Sequence, residues 1–319
     1  MKIFLTGGAG FIGSHLTQEL LQQEHQVVTL DNFNDYYSPV MKRNNVEAFL
    51  SHPQYKLIEG DILNFDRLKE QLSQGFDVLI HLAARAGVRP SLENPILYEQ
   101  VNGLGTMHLL ECSRLFQIPR FIFASSSSVY GKNHKIPFSE SDIVAQPLSP
   151  YAATKLAGEL YCYNYHHLYN LQVACLRFFT VYGPRQRPDM AIHQFARNIY
   201  LEKPVIRYGD GQSSRDYTYC SDIVQGIMAC LKAPLKYEIF NLGESQVISL
   251  QRLIELLETY LGKKAQIKEG KAQAGDMQMT CANIDKARTL LGYCPQVSVE
   301  VGLKFFVDWF LKDGVKWIK

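Results

Sequence analysis

Tyr151 and Lys155 stand four residues apart in the run Ser149-Pro150-Tyr151-Ala152-Ala153-Thr154-Lys155. Ser149 suits a helix N-cap and Pro150 the first helical position, so the phenol and the ammonium share one face of a new helix. A free phenol titrates near 10 and is a poor base at neutral pH, but a fixed cation beside it stabilises the phenolate. Lowering that pKa by two or three units takes about 3 to 4 kcal/mol of differential interaction. Lys155 and a positively charged nicotinamide together could supply it. Spacing alone decides nothing, because Tyr260 and Lys264 repeat it. The second pair sits where a helix runs out into Gly262, whereas Tyr151 lies downstream of a serine run that closes an apolar strand.

The other chemistry-bearing stretch opens the chain. Gly7-x-x-Gly10-x-x-Gly13 follows the apolar segment Lys2 to Thr6 and precedes a helical pattern from Phe11 to about Gln23. Such glycines let the backbone approach a pyrophosphate, and the helix start at Phe11 and Ile12 presents free amides to it. A second strand, Gln26 to Leu30, ends at Asp31, which can accept both ribose hydroxyls of NAD and would repel the extra phosphate of NADP. Asp61, after the strand Tyr55 to Glu59, is placed to face an adenine amine. Ala83 and Ala84 end a strand predicted from Val78, and their small side chains let a cofactor lie close.

The elements that must position these groups alternate. Strands at 2–6, 26–30, 55–59, 78–84, 121–124 and 173–179 are separated by helical patterns, notably Asp66 to Leu72 and Val101 to Leu115. That alternation predicts an α/β fold, a doubly wound parallel Rossmann sheet. Asn102 would open the Val101 helix, as cofactor contact or as cap. After Phe179 the pattern breaks at Gly183, Pro184, Pro188 and Pro204, which predicts a smaller C-terminal α/β substrate-binding domain. The expected division is 1–180 plus about 217–245 for the NAD-binding domain, with 181–216 and 246–319 for the substrate domain. Tyr237 to Gly243 reads as a strand returning to the main sheet, and Leu250 to Leu261 and Val301 to Phe310 as amphipathic helices.

Composition narrows the function. Apolar residues make up 46% and charged residues 20% of 319, and a formal charge of +2 gives no reason to expect nucleic acid or an anionic membrane as partner. Seven scattered cysteines, never at Cys-x-x-Cys spacing, point to free thiols in a reducing compartment and away from structural zinc. His81 and the pair His166-His167 lack companions at metal-ligand spacing, so no metal is expected. The apolar start is too short for a signal or anchor, which predicts a cytoplasmic protein.

Taken in order, Gly7 to Gly13, Asp31 to Tyr37, Ala83 to Arg89, Ser125 to Gly131, Tyr151 to Lys155, Arg177 to Ala191 and Arg215 to Tyr219 resemble the extended short-chain dehydrogenase/reductase superfamily. Within it they are most similar to the NAD-dependent nucleotide-sugar epimerases of the UDP-glucuronate 4-epimerase type. The resemblance covers roughly the first 220 residues. It implies tightly held NAD, contacted by Gly7, Gly10, Phe11, Ile12, Asp31, Asn32, Asn34, Asp61, Ile62, Leu82, Ala83, Ala84, Ala86, Asn102, Tyr151, Lys155 and Phe178. It implies that Tyr151 takes the proton of a sugar 4-hydroxyl, that Lys155 grips the nicotinamide ribose, and that Ser126 or Ser127 hydrogen-bonds the reacting oxygen. It further implies a UDP-sugar substrate met by Arg89, Ser126, Ser127, Ser128, Tyr151, Thr180, Arg187, Met190, Tyr208 and Arg215.

Related sugar 4,6-dehydratases carry an Asp-Glu pair where this chain has Ser127-Ser128, and related decarboxylases carry Glu at Ser128. Hydroxyls at Ser126, Ser127, Ser128 and Thr180 would instead hold a sugar carboxylate by neutral hydrogen bonds. Serines as strand-end caps are the plainer reading of the same run. Arg85 stands where relatives commonly carry a neutral amide. The expected activity is interconversion of UDP-glucuronate and UDP-galacturonate, with 4-epimerisation of neutral UDP-sugars as the rival and a non-catalytic NAD-binding regulator as the remote alternative. A homodimer is implied through the helices near Asn102 and Pro150, the latter showing an apolar side of Tyr161, Cys162, Tyr165 and Leu168.

Overall fold

The computed structural model describes residues 1–208, 211, 213–270 and 278–317. Its strands in chain order are β1 (Lys2–Thr6), β2 (Gln26–Asp31), β3 (Tyr55–Glu59), β4 (Val78–His81), β5 (Arg120–Ser126), β6 (Gln172–Phe178), β7 (Thr180–Tyr182), β8 (Pro204–Tyr208), β9 (Ser214–Tyr219), β10 (Tyr237–Leu242), β11 (Val247–Ser249) and β12 (Gln266–Gly270). Seven of them form one sheet in the order β10-β6-β5-β4-β1-β2-β3, every neighbouring pair parallel. Helices cover both faces, so the central strands are buried on both sides and read as unbroken apolar runs rather than alternating ones; all four residues of β4 are buried. The chain travels outward from β1 to β3 and returns to β4 on the other side of β1. The segments leaving β1 and β4 therefore diverge and open a crevice at their C-terminal ends.

The predicted boundaries hold to within a residue or two at most strands. β4 is the exception: it ends at His81, and Leu82 to Ala84 leave the ladder to become loop. The helix predicted from Val101 to Leu115 is two pieces, a π-helical segment Glu99–Leu104 and an α-helix Gly105–Leu115. Asn102 lies inside the π segment, buried, and is not a cap. The helix Pro150–Tyr169 starts as read, with the Ser149 hydroxyl accepting the Ala152 N–H at 3.1 Å, and ends at Asn170 in a left-handed turn.

Outside the main sheet, β11, β9 and β7 form a three-stranded sheet and β12 pairs with β8. The helices Ala191–Tyr200, Leu250–Leu261 and Val299–Lys312 share a core with them, centred on Tyr182, Leu257, Phe306 and Phe310. β10 returns to the edge of the large sheet. Ala282, Ile284, Ala287 and Tyr293, which the sequence placed with the substrate domain, pack in the core of the large sheet. Asp216 of β9 joins the two parts: its buried carboxylate accepts the backbone N–H groups of Glu244, Ser245 and Ala282. Burial nevertheless dominates and raises its pKa to about 6.

Among the described residues no helix is long and apolar enough to cross a membrane. None of their His, Cys, Asp and Glu side chains form a group of three that could hold a metal ion.

Candidate active site

A cavity of about 820 Å³ fills the crevice, within the range of small-molecule sites. Gly7, Gly10, Phe11, Ile12, Asp31, Asn32, Asn34, Asp61, Ile62, Leu82, Ala83, Ala84, Ala86 and Phe178 line it, as do Ser126, Ser127, Ser128, Tyr151, Lys155, Thr180, Arg89, Arg187, Met190 and Tyr208. Two predicted residues do not. Asn102 is turned to the backbone of Arg85, and Arg215 donates to the carbonyls of Ser214 and Gln278.

One end of the cavity has the form a dinucleotide requires. Gly7 has φ +74°, and a Cβ there would sit 2.7 Å from the Ala83 nitrogen, so the turn after β1 and the loop after β4 touch through backbone. The helix Phe11–Gln22 begins at Gly10 with no side chain capping it, which leaves its first amides directed to the cavity. Asp31 is held by the N–H groups of Ala9 and Phe33 at 3.2 and 2.9 Å. Burial raises its pKa, against the opposing pull of Lys42 and those two amides. Asn32 donates to Asp61 at 2.8 Å, and Leu63 N–H fixes the other Asp61 oxygen at 2.8 Å. A glycine cradle that no Cβ could share, an uncapped helix start and two oriented carboxylates fit the pyrophosphate, ribose and adenine of NAD.

Tyr151 and Lys155 face the same cavity from successive turns of their helix. The Ser126 hydroxyl and the Arg187 charge pull the Tyr151 pKa down, but burial outweighs both and pushes it up. The sequence expects Lys155 and a positively charged nicotinamide to lower it together; in the protein alone Lys155 donates to the Ala124 carbonyl at 2.7 Å, and burial lowers its own pKa to about 8. The Ser126 oxygen also accepts Ser128 N–H at 3.1 Å and caps the short turn Ser127–Tyr130, so the capping role falls to Ser126 and leaves Ser127 and Ser128 free of it. One turn beyond Lys155, Glu159 takes a bidentate ion pair from buried Arg177 and a hydrogen bond from Ser125. The catalytic face of the helix is thereby registered against the end of β5 at Ser126, Ala124 and Ser125.

The other end of the cavity is a web of charge and phenol. Arg187 is bound twice by Asp189, at 2.9 and 2.8 Å. That pairing outweighs the cost of burial, holding the guanidinium charged and the Asp189 carboxyl low. Tyr36 donates to the Ala86 carbonyl at 2.9 Å, shares it with Tyr98 at 2.8 Å, and reaches Asp189 at 3.4 Å. Arg85 and Arg187 both lie against the Tyr36 ring, and Arg89 lies over Tyr208. Tyr36 and Asp189 lie within the stretches Asp31 to Tyr37 and Arg177 to Ala191, and the sequence assigns neither a role. The spacing Arg187-Pro188-Asp189, two opposite charges in a proline turn, was the available signal.

The NAD dependent epimerase/dehydratase family matches residues 3–243. A UDP-glucuronate 4-epimerase of Thermodesulfobacterium geofontis is 44% identical over 317 residues, covering 99% of this chain and 97% of that protein. The crystal structure of UDP-glucuronic acid 4-epimerase from Bacillus cereus, in complex with UDP-glucuronic acid and NAD, is 40% identical with a TM-score of 0.93, covering 98% of this chain and 99% of that one. The dTDP-glucose 4,6-dehydratase of Streptomyces venezuelae is 30% identical with a TM-score of 0.94, each chain fully covered, so the fold alone does not separate the two reactions.

Proposed function

The chain belongs to the NAD dependent epimerase/dehydratase family, and from that premise we propose that it interconverts UDP-glucuronate and UDP-galacturonate by reversible oxidation at the sugar 4-position. The observation that carries the reading is the hydroxyl cluster Ser126, Ser127, Ser128 and Thr180 lining the cavity beside Tyr151 and Lys155. Dehydration needs carboxylates at that strand end for its extra proton transfers, and this chain has serines there. Neutral hydroxyls hold a uronic carboxylate without repelling it or forcing it to protonate.

When bound, NAD supplies the hydride acceptor for the sugar 4-carbon and a positive ring beside the phenol. Gly7, the amides after Gly10, Asp31 and Asp61 would hold it. Tyr151 takes the proton from the 4-hydroxyl and returns it, with the Ser126 hydroxyl beside the phenol favouring its charged form. Lys155, anchored on the Ala124 carbonyl, keeps an ammonium at the base of the site. The hydroxyls release the 4-keto sugar to turn and accept hydride on its other face, so no net oxidation results. A 4-keto uronic acid is a β-keto acid, and a carboxylate kept hydrogen-bonded in an unfavourable orbital alignment resists losing carbon dioxide. Arg187, Arg89 and Tyr208 meet the nucleotide or the carboxylate, and Met190 with Phe195 lines the far wall.

Incubating the purified protein with each nucleotide sugar and separating the products by chromatography tests this. Turnover of UDP-glucuronate to UDP-galacturonate is expected; turnover of UDP-glucose without UDP-glucuronate would assign the neutral-sugar reaction instead.

The assembly is a homodimer in this reading. Cys162 and Tyr165 face the core, so of the stripe read from sequence only Leu168 is strongly exposed, and Leu160, Tyr163 and Tyr169 join it on the outer side of the helix Pro150–Tyr169. Leu104 and Leu115 are exposed on the adjoining helix. Sedimentation at micromolar concentration checks it, with a monomer as the contrary result. The seven thiols, none in a disulfide, fit a reducing cytoplasm.

A further inference from the structure

His81, last residue of β4, is fully enclosed between Thr6 of β1 and Thr106 of the helix Gly105–Leu115, with Phe121 and Phe123 against its ring. Its Nδ1 lies 2.8 Å from Thr6 Oγ1 and its Nε2 lies 3.1 Å from Thr106 Oγ1. The positions of the protons follow from the partners. Thr106 Oγ1 is 2.5 Å from the Asn102 carbonyl, which can only accept, so the Thr106 proton is committed there. Towards His81 the Thr106 oxygen can then only accept, and Nε2 must carry a proton. Burial and the nearby Lys155 charge keep the ring neutral, with one proton only. Nδ1 is therefore the acceptor, Thr6 donates to it, and the Thr6 oxygen remains open to accept the Ala83 N–H at 3.3 Å.

The result is a one-way chain of hydrogen bonds, from Ala83 N–H through Thr6, His81 and Thr106 to the Asn102 carbonyl. At its far end the Asn102 side chain accepts from Arg85 N–H at 2.8 Å and donates to the Arg85 carbonyl at 3.0 Å. The loop 82–86 is thus gripped at Ala83 and again at Arg85, and His81 is the link between the grips. Ala83 is also the residue whose backbone meets Gly7. We infer that His81, as the neutral Nε2-protonated tautomer, is a positioning residue for the dinucleotide: it acts through Thr6 and Asn102 to hold the Ala83 loop against the Gly7 turn.

The inference rests on NAD occupying this end of the cavity, which the wild-type protein tests by itself: if it binds no NAD, that reading has failed, whatever the variants do. Given binding, NAD affinity is compared among wild type, Thr6→Val, Thr106→Val, His81→Leu and His81→Gln, alongside the KM for UDP-sugar at saturating NAD. Thr6→Val keeps its shape and loses its hydroxyl. It and His81→Leu should bind NAD about tenfold or more weakly, the scale of a buried hydrogen bond left unmade. KM for the sugar should move less than about twofold. Gln offers one donor and one acceptor and should recover most of the affinity. In ¹⁵N NMR the His81 ring should show protonated Nε2 and bare Nδ1 without titrating between about pH 6 and about pH 9. Wild-type NAD affinity in folded Thr6→Val, or an Nδ1-protonated ring, overturns the inference. If His81→Leu does not fold, the two threonine variants decide it.

Discussion

The two ends of the cavity are shaped by different means. At the dinucleotide end the walls are backbone: the Gly7 turn against Ala83, uncapped amides after Gly10, loop residues pinned by Thr6 and Asn102. At the sugar-nucleotide end the walls are side chains whose charges answer one another, with Arg187 on Asp189 and Tyr36 reaching Asp189 across 153 residues of chain. A backbone wall tolerates almost no substitution but depends on few partners. A wall of paired side chains can re-form around different ligands, which suits an end that must let a sugar turn over.

That contrast can be broken or sharpened by substitution. Tyr151→Phe, at the junction of the two ends, should lower turnover at least about a hundredfold, the scale of general-base loss, while NAD stays bound. Near-normal rates would remove Tyr151 from its role. Gly7→Ala forces a side chain at φ +74° into the Ala83 backbone. It should release NAD during gel filtration, read from the absorbance of the denatured supernatant, at a cost of about 1 to 3 kcal/mol or more. Full retention would mean that the backbone does not define that end.

Arg187→Met should leave NAD occupancy untouched and raise KM for UDP-glucuronate about tenfold, as for a lost charge-assisted contact. An unchanged KM would show that Arg187 serves only its partner Asp189.

The last test concerns a position in neither end. Glu244, next to Asp216, is buried with one oxygen unpartnered among the described residues, and burial raises its pKa to about 7. The folded protein therefore holds this proton more tightly than the unfolded chain, and stability declines as pH rises from about 4.5 to about 7. Glu244→Gln should melt higher than wild type near pH 8, by an amount equivalent to about 1 to 3 kcal/mol. The gap should close as pH falls through 7 towards 4.5. A pH-independent gap would remove Glu244 as its source.

The same contrast explains what could be read in the chain beforehand. Most strand ends, the glycine turn, Asp31 and the Ser149 cap are local consequences of residue type, and apart from the early end of β4 at His81 they stand where the sequence placed them. Arg215 and Asn102 were assigned by motif, and tertiary pairing sent both elsewhere: Arg215 to carbonyls of its own strand and of Gln278, Asn102 to Arg85. The upward push of burial on Tyr151 was not legible either, because a spacing of four names a neighbour without revealing how much water burial has removed from the phenol. Cys162 and Tyr165 read as an outer stripe because a helix facing two neighbours shows apolar residues on more than one side. The Arg187-Pro188-Asp189 spacing hinted at an ion pair, but nothing local ties Tyr36 to Asp189, which lies 153 residues away.

The π-helical segment Glu99–Leu104 carries a consequence for insertions and deletions. Its wider turn accommodates one residue more than a regular helix over the same rise. Removing a single residue there would let the coil tighten and rotate Asn102 by about 100° away from Arg85. This stretch should therefore accept changes of residue type at Glu99 or Leu104 far more readily than any change in its count.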